Sequence, residues 1–596
     1  MPAISLRSKV LALPARVRRR LQALVRRGAR LDESTVLVGF AATIGIAVGA
    51  VVVLFYRLID LTQAAAFTTA ARLTGLGAAS VLVVVGLGFA LAFLLVRYGA
   101  RDSDGENIPD VMRAVVKRGG RLGDWPVLVK TAAAGILIGT GGSVGAEGPV
   151  AVAGSALGSR LGRMFRSSAS RLKLLVACGA AAGISAAFNA PIAGVFFALE
   201  KILGTFSVGA FPPVLVASVV AAVVSRSVFG NSPVIAIPTE YAMGPAAELL
   251  LYAGLGIAAG VVSVVYTRGL YRAGDLLQRF KSRWVQVGIA ALVVGALGAL
   301  FRADLWGRGH ESLTLEIIGQ REPLFLVALA LAKLTATAFA ISAVRAGGVF
   351  TPALFIGATL GGGLAGAAEA LLPQWAIQPE AFALAGMAGL VAGSTHAPLT
   401  AIMIVFEMSG DYALILPIML CAAVAYVTAR RAYPESIYSE WLRRRGERID
   451  HGRDTGVLER LTVARAYSRT PLTLREDATI PEILDTMTRS AQPEFPVLDA
   501  QGRLVGIIGY GDVGAVLTEV ETLGPVLVAA DIANTEIEPV TLTDSLRTVL
   551  QRLGVHGGHS LPVVESAAGG RVLGVISRQG IYAAYDRELL AGPPGG

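Results

Sequence analysis

A single carboxylate stands in the segment GTGGSVGAEGPV, at residues 139–150. Glu147 lies two residues ahead of Pro149, and proline suits the first turn of a helix because its missing N–H costs nothing there. The N–H groups that open a helix have no partner inside it, and the helix dipole adds positive charge at the same end. We therefore interpret this turn as an anion-binding site.

Two other segments combine glycine and proline in a similar way, GENIP at residues 105–109 and GGVFTP at residues 347–352. The short helix expected after Pro109 runs toward the basic residues Arg113 and Lys117. Three helix starts that converge could surround one ion with backbone N–H groups, which glycine allows to approach closely. Partial charges of this kind suit transport, because the ion must also leave the site.

The elements that position these turns are predicted to be membrane helices. The chain has 596 residues, of which 54% are hydrophobic and 16% are charged, and it is too apolar for a soluble protein. The runs at 36–56 and 79–96 are long enough to cross a hydrocarbon core of about 30 Å. Shorter apolar runs, which we expect to be helices that stop within the membrane, occur at 132–144, 188–200, 352–366 and 397–408.

The net charge of +10 comes largely from basic clusters at the ends of apolar runs. Cytoplasmic flanks of membrane helices carry such an excess of lysine and arginine, so the pattern favours a multi-pass protein of the cell membrane and argues against a nucleic-acid partner. Both termini are predicted to be cytoplasmic. The arginines of residues 1–35 are spaced as an amphipathic helix that lies on the lipid bilayer.

The cysteine and histidine patterns argue against an enzyme. Cys178 and Cys421 lie in apolar segments and have no metal-ligand spacing. His310 begins an HES segment like the start of a zinc-protease motif, yet no second histidine follows at the required spacing. We therefore predict no catalytic residue, no metal site and no required cofactor.

The membrane part contains an internal repeat. NAPIAGVFFALE at 189–200 matches HAPLTAIMIVFE at 396–407, and a glycine-rich turn with a proline precedes each copy. Repeated halves with interrupted helices are typical of transporters whose site lies between the repeats. The residues alone leave open whether the halves are parallel or inverted. Beyond about residue 455, alternating strand and helix patterns predict a soluble domain.

Together the three turns resemble those of the CLC chloride channels and proton-coupled anion transporters, in the branch with a C-terminal pair of CBS domains. The resemblance spans residues 36–590. It implies an all-α polytopic membrane protein with two inverted halves and interrupted helices, followed by an α/β CBS pair, or Bateman module, and it implies a homodimer. The implied parts are a cytoplasmic basic helix at 1–35, the transport domain at 36–435, a linker at 436–460, and cytoplasmic CBS domains at 461–520 and 521–590.

The resemblance also implies that backbone groups of the three turns surround a central anion. The N–H groups of Val349 and Phe350 would coordinate it, and the Tyr438 hydroxyl would donate to the inner anion. The implied anion-binding residues are Gly105, Glu106, Asn107, Ile108, Pro109, Gly145, Gly148, Pro149, Gly348, Val349, Phe350, Pro352 and Tyr438.

The resemblance implies that Glu147 is the gating glutamate of the family. An ionised carboxylate can occupy an anion site and block it, and protonation removes that attraction, so the anion and the proton compete for one place. Two neighbours depart from the family pattern and bear on anion selectivity. Glu106 replaces the usual serine of the first turn, and Ala146 replaces the usual basic residue ahead of the gate.

Lys201 stands where many proton-coupled members carry a second, internal glutamate. A lysine can relay protons only if burial disfavours its charged form, whereas at a wet helix end it is a solvated charge. The residues favour the solvated charge and leave a proton role for Lys201 open. Glu407, which ends the second repeated segment, is expected to be structural, and Glu200 aligns with a structural glutamate of the family.

The tail resembles two CBS motifs, which in that family bind adenine nucleotides through a hydroxyl and an aspartate. GIIGYGD at 506–512 retains Asp512 but has glycine at the hydroxyl position. GVISRQG at 574–580 retains Ser577 but has glycine at the aspartate position. Both an adenine-nucleotide sensor and a structural, dimer-stabilising tail therefore stay open.

The predicted function is transport of chloride or similar small anions through a pathway gated by Glu147, coupled to proton counter-transport. The alternative within the family is a passive voltage- or pH-gated anion channel, because Lys201 replaces the internal glutamate. Alternatives from other classes are a CBS-regulated divalent-cation transporter and a membrane metalloprotease. The first would need oxygen ligands in mid-membrane, and the second lacks its zinc-binding histidine.

Overall fold

The computed structural model describes most of the chain and divides it into two compact units, residues 1–449 and 450–596. Residues 1–32, and Gly105 and Glu106 of the first turn, lie outside the described residues. The described residues are 33–72, 79–100, 107–231, 235, 245–301, 305, 321–375, 377–447, 458–459, 461–490, 492–517, 527–556, 558–566 and 570–591.

The described part of the first unit is built from helices. They are α1 (Glu33–Arg72), α2 (Ala79–Leu94), α3 (Ile108–Lys117), α4 (Trp125–Gly139), α5 (Glu147–Met164), α6 (Ala169–Phe188), α7 (Pro191–Phe197), α8 (Phe211–Phe229), α9 (Glu248–Gln278), α10 (Arg283–Phe301), α11 (Pro323–Val344), α12 (Phe350–Leu371), α13 (Pro379–Thr395), α14 (Pro398–Ser409), α15 (Ile415–Ala432) and α16 (Ser439–Arg444). Helix α2 continues into a π-helical turn at Leu95–Gly99, and α7 into another at Ala198–Leu203.

Within the described residues, nine helices are long and apolar enough to cross a membrane: α1, α2, α6, α8, α9, α10, α11, α12 and α15. Helices α3, α4, α7 and α14 are shorter, which confirms short helices for the runs at 132–144, 188–200 and 397–408. The prediction for the run at 352–366 is wrong, because α12 extends the apolar run at both ends to 22 residues, long enough to cross a membrane. Helix α5 starts at Glu147, so Pro149 lies in its first turn, as predicted. Glu147 is therefore the first residue of α5 and not part of the turn ahead of it.

The second and third turns meet at the junction of the two halves. Gly145 and Gly348 exchange both backbone hydrogen bonds, with N···O distances of 2.7 and 2.8 Å. Pro149 follows Gly145 at the spacing with which Pro352 follows Gly348, so the two glycines are equivalent residues of the repeats. An antiparallel bridge between equivalent residues indicates a pseudo-two-fold relation between the halves.

A second reciprocal contact joins α7 and α14, the helices of the repeated Ala-Pro segments. Glu407 ends α14 and accepts hydrogen bonds from the N–H groups of Ile192 and Ala193 in α7, at 3.0 and 2.7 Å. Glu200 follows α7 and accepts from the N–H and hydroxyl of Thr400 in α14, at 2.9 and 2.7 Å. Each helix runs antiparallel to its equivalent, which makes the repeats inverted, and the structural role expected of Glu407 is confirmed.

Glycines bring the backbones of neighbouring helices into contact. Gly154 of α5 faces Gly179 of α6, where a Cβ on residue 179 would lie 2.0 Å from the Gly154 oxygen. Gly357 of α12 faces Gly386 of α13 in the same way, with a distance of 2.2 Å. Small residues allow membrane helices to pack this closely. The helices that start at the second and third turns are therefore held tightly against their neighbours.

The second unit repeats one β-α-β-β-α pattern, as the sequence predicts. In each copy the first strand is parallel to the second, and the second is antiparallel to the third. The elements are β1 (Leu474–Arg475), α17 (Ile480–Thr488), β2 (Glu494–Leu498), β3 (Leu504–Gly509), α18 (Tyr510–Leu517), α19 (Ala529–Ile532), β4 (Val540–Thr541), α20 (Leu546–His556), β5 (Ser560–Val564), β6 (Val572–Ser577) and α21 (Arg578–Ala591).

Candidate anion site

Glu147 reaches from one repeat into the other. It is the first residue of α5, yet its carboxylate lies at the N-terminus of α12. The Phe350 N–H donates to its Oε1 at 2.5 Å, and the Thr351 hydroxyl donates to its Oε2 at 2.7 Å. The residue is 1% exposed, so these donors replace water. The carboxylate lies where a helix opening favours negative charge.

Two glycines make room for this carboxylate. A Cβ on Gly145 would lie 2.2 Å from Oε2 of Glu147, and a Cβ on Gly348 would lie 2.3 Å from Oε1. Both distances are far below van der Waals contact, so a larger residue at either position would conflict with the carboxylate. Because the same two glycines form the bridge between the repeats, the fold fixes them beside Glu147.

One cavity of about 310 Å³ joins the three turns. The predicted residues in its wall are Asn107, Ile108, Pro109, Gly148, Pro149, Gly348, Val349 and Tyr438. Gly145 and Phe350 instead lie against the Glu147 carboxylate, and Pro352 is buried in the first turn of α12. The structure thus brings the described residues of all three turns together.

The cavity wall is strongly basic. Its cationic residues are Lys130, Arg283, Arg345, Arg444 and Arg445. Asp275 is the one carboxylate among the described lining residues, and it pairs with Arg444 at 2.7 Å. A concave surface lined by one sign of charge raises the local concentration of the opposite ion. The cavity is therefore suited to collect anions.

Tyr438 lies ahead of α16 and contributes its ring to the cavity wall. Its hydroxyl is buried and has no hydrogen-bond partner among the described residues. The neighbouring Ile437 is fixed on both sides, because its N–H donates to the Ser394 oxygen at 2.8 Å and its oxygen accepts from the Tyr271 hydroxyl at 2.6 Å. Buried hydroxyls normally find a partner, so this one is suited to donate to a group within the cavity.

The helix that follows Tyr438 is anchored by a buried carboxylate. Glu440 accepts hydrogen bonds from Arg443, Arg444 and the Tyr433 hydroxyl, at 2.7, 2.9 and 2.6 Å. Burial alone would raise the pKa of Glu440, but these hydrogen bonds outweigh burial and lower the pKa to about 2. Glu440 stays ionised near neutral pH, and α16 keeps its anchor.

Lys201 differs from its expected environment. The sequence favours a solvated charge at a wet helix end, but Lys201 is 6% exposed and lies in the π-helical turn after α7. Its Nζ donates to the backbone oxygen of His396 at 3.3 Å. His396 follows α13 in the other repeat, so packing between the halves buries the lysine.

Asp512 and Ser577, the two residues kept from the nucleotide motif, make local contacts. The Asp512 carboxylate accepts from the Gly509 N–H at 2.8 Å, and the Ser577 hydroxyl accepts from the Gly580 N–H at 3.1 Å. Each bond stabilises the turn between a strand and the helix that follows it. Binding of an adenine nucleotide to this pair stays a prediction.

Sequence analysis missed two residues beside Glu147. Thr351 is visible in GGVFTP as a hydroxyl next to a helix start, and that position is the signal that could have identified it. Tyr266 on α9 gives no local signal, although its hydroxyl donates to the Val349 oxygen at 2.8 Å. Tyr266 thereby fixes the turn ahead of α12 from a distant helix.

Comparison with known proteins identifies relatives of both units. The family model described as voltage gated chloride channel matches residues 87–430, and the CBS domain model matches 463–518 and 528–587. The "Putative chloride channel protein ClcB-like" of Ralstonia nicotianae is 36% identical over 372 residues, 61% of this chain and 85% of that protein. The "H(+)/Cl(-) exchange transporter ClcA" of Salmonella agona is 32% identical over 442 residues, 72% of this chain and 92% of that protein.

Solved structures agree with this assignment. A slow cyanobacterial Cl-/H+ antiporter has a TM-score of 0.62 at 27% identity, covering 70% of this chain and 98% of its own. A eukaryotic CLC transporter has a TM-score of 0.61 at 21% identity, covering 91% of this chain and 97% of its own, and supports the fold alone. The three turns, the inverted repeat and these matches place the chain in the voltage-gated chloride channel (CLC) family, with a C-terminal pair of CBS domains.

Proposed function

We propose that the chain carries chloride or a similar small anion across the cell membrane in exchange for protons, with Glu147 as the gate. The observation that carries this proposal is the hydrogen bond from the Phe350 N–H to the Glu147 carboxylate. The carboxylate lies at the end of α12 where a helix attracts an anion. Relatives named as H(+)/Cl(-) exchange transporters support the coupling to protons.

The ionised carboxylate of Glu147 competes with the transported anion for the donors at the start of α12. Protonation removes its charge, so the carboxyl group loses its attraction to the helix and moves away. The anion then takes the donors, and release of the proton returns the carboxylate to the helix. Because the two ligands exclude each other from one site, the flow of one is linked to the flow of the other.

The basic cavity supports the approach of the anion from one side. Lys130 and Arg345 attract it into the cavity, and the Tyr438 hydroxyl donates a hydrogen bond to it there. Hydroxyl and N–H donors stabilise an anion without the strength of a full ion pair. The anion can therefore leave as readily as it enters.

The test is a dual recording on purified protein in liposomes loaded with chloride and diluted into low chloride. Chloride efflux is expected to drive protons inward against their gradient, which an external pH electrode records as alkalinisation beside a chloride electrode. Liposomes without protein provide the control. Chloride efflux without proton movement would favour the passive channel, and absence of any anion flux would contradict transport itself.

We also propose a homodimer with both termini and the CBS pair in the cytoplasm. The dimer rests on the family resemblance. Lys117 and Arg163, in the last turns of α3 and α5, support a cytoplasmic location for those helix ends. The matched family segments fall within the proposed domains at 36–435, 461–520 and 521–590.

We further propose that Lys201 is the residue through which protons enter the pathway from the cytoplasmic side. Its amine is buried at the contact between the repeats, where it binds the His396 oxygen. Lys201→Met keeps the length of the side chain and removes the exchangeable proton, so proton movement is expected to fall about 100-fold while chloride flux persists. The two rates are measured in the same liposome recording.

Lys201→Arg is the matched control for this prediction. It keeps a cation at the site, but a guanidinium does not release its proton, so the same loss of proton movement is expected. Lys201→Glu introduces a carboxyl group, which can bind and release a proton. It is therefore expected to keep the coupling that Lys201→Met loses. Unchanged coupling in Lys201→Met would exclude Lys201 from the proton route.

A further inference from the structure

The Thr351 hydroxyl is a side-chain donor to the Glu147 carboxylate, separate from the backbone of α12. It donates to Oε2 at 2.7 Å, while the Phe350 N–H donates to Oε1 at 2.5 Å. Each carboxylate oxygen thus has its own donor. The backbone donor is present whatever residue follows Phe350, whereas the hydroxyl depends on a threonine or serine at position 351.

The Thr351 hydroxyl uses its single proton for the hydrogen bond to the Glu147 carboxylate. Threonines within helices normally donate to the carbonyl oxygen one turn earlier. Thr131, Thr359 and Thr395 do so here, at 2.8, 3.0 and 2.7 Å. Thr351 lies in the first turn of α12, and its hydroxyl donates across the interface between the repeats instead.

Burial makes this bond sensitive to the charge of Glu147. Thr351 is 4% exposed and Glu147 is 1% exposed, so water does not replace a lost donor. A hydrogen bond to an ionised acceptor is about twice as strong as one between neutral groups. The hydroxyl therefore stabilises the ionised, bound carboxylate more than the protonated one.

We propose that Thr351 is a positioning residue that sets the pH at which the Glu147 gate is released. The proposal rests on the proposed gating role of Glu147. Because the hydroxyl favours the ionised carboxylate, the gate stays closed down to a lower pH than it would with the backbone donor alone. Other titratable groups face the pair, or lie on the helices packed against it: Tyr266, Tyr438, Lys130 and Lys333.

The test measures chloride flux in liposomes at a series of symmetric pH values. Thr351→Val removes the hydroxyl at nearly constant volume, so the midpoint of the flux–pH curve is expected to move about one pH unit toward higher pH. Thr351→Ser keeps the hydroxyl and is expected to keep the wild-type midpoint. Thr359→Val removes a buried hydroxyl from the same helix away from Glu147, and no shift is expected.

The same substitution in a Glu147→Gln background separates this inference from the proposed function. Glu147→Gln alone is expected to give flux that does not depend on pH, and all four neighbouring titratable groups are retained there. If Glu147→Gln/Thr351→Val is equally independent of pH, the shift seen in Thr351→Val belongs to the carboxylate. A wild-type midpoint in Thr351→Val, or a pH dependence that appears in the double variant but not in Glu147→Gln, would overturn the role of Thr351. Flux that does not depend on pH in the wild type and in Glu147→Gln alike would instead overturn the gate.

Discussion

Glu147→Gln is expected to abolish proton movement while chloride flux continues at a rate that no longer depends on pH. Glutamine keeps the size of the side chain, but it carries no negative charge and no exchangeable proton at this position. It therefore cannot compete with chloride for the Phe350 N–H as an ion, and it cannot carry a proton. The loss should be complete within the detection limit of the pH electrode, because Glu147 is the ligand that both ions are proposed to share.

Glu407→Gln is the matched control for this substitution. The Glu407 carboxylate also lies at the N-terminus of a helix in the opposite repeat. It caps α7 by accepting hydrogen bonds from the N–H groups of Ile192 and Ala193. Glutamine keeps an acceptor oxygen for that cap, so coupling is expected to survive with a lower thermal stability. Proton movement at the wild-type ratio in Glu147→Gln would contradict the role of Glu147 in exchange.

The turns around Glu147 could be predicted because their signals are local. Glycine and proline at fixed spacing mark a helix start, and a helix start carries its own positive potential. The described residues of GENIP, GAEGP and GVFTP accordingly meet around the cavity or the carboxylate. The interrupted helices could also be predicted, since apolar runs too short to span a bilayer are visible in the sequence.

The partners of these turns could not be predicted, because they are set by packing between distant segments. Thr351 and Glu147 are 204 residues apart along the chain, and Lys201 and His396 are 195 apart. A lysine at the end of an apolar helix has the same local pattern whether solvent or the other repeat covers it. The inverted relation that buries Lys201 becomes visible only through reciprocal contacts such as the Gly145–Gly348 bridge.

Gly348→Ala is expected to open the gate without changing the carboxylate itself. The new Cβ would lie 2.3 Å from Oε1 of Glu147 and 2.8 Å from the backbone nitrogen of Gly148. Overpacking of this kind costs about 1–3 kcal/mol. The contact with Oε1 is relieved when the carboxylate leaves, whereas the contact with the Gly148 nitrogen remains, so the population of the bound carboxylate falls by at most about 150-fold relative to the released one. Chloride flux at alkaline pH should rise toward its acid value, and coupling to protons should weaken in the same liposome recording.

Gly86→Ala is the control, since a Cβ at that position in α2 would meet nothing within 4 Å. It should leave the flux–pH curve unchanged. Because Gly348 also forms the bridge to Gly145, the alanine variant must first elute as a folded protein on size exclusion. A folded Gly348→Ala protein with the wild-type pH dependence would mean that Glu147 does not need the position beside Gly348 to block the pathway. A combined Gly348→Ala/Glu147→Gln variant should match Glu147→Gln, because both changes remove one and the same competitor from the start of α12.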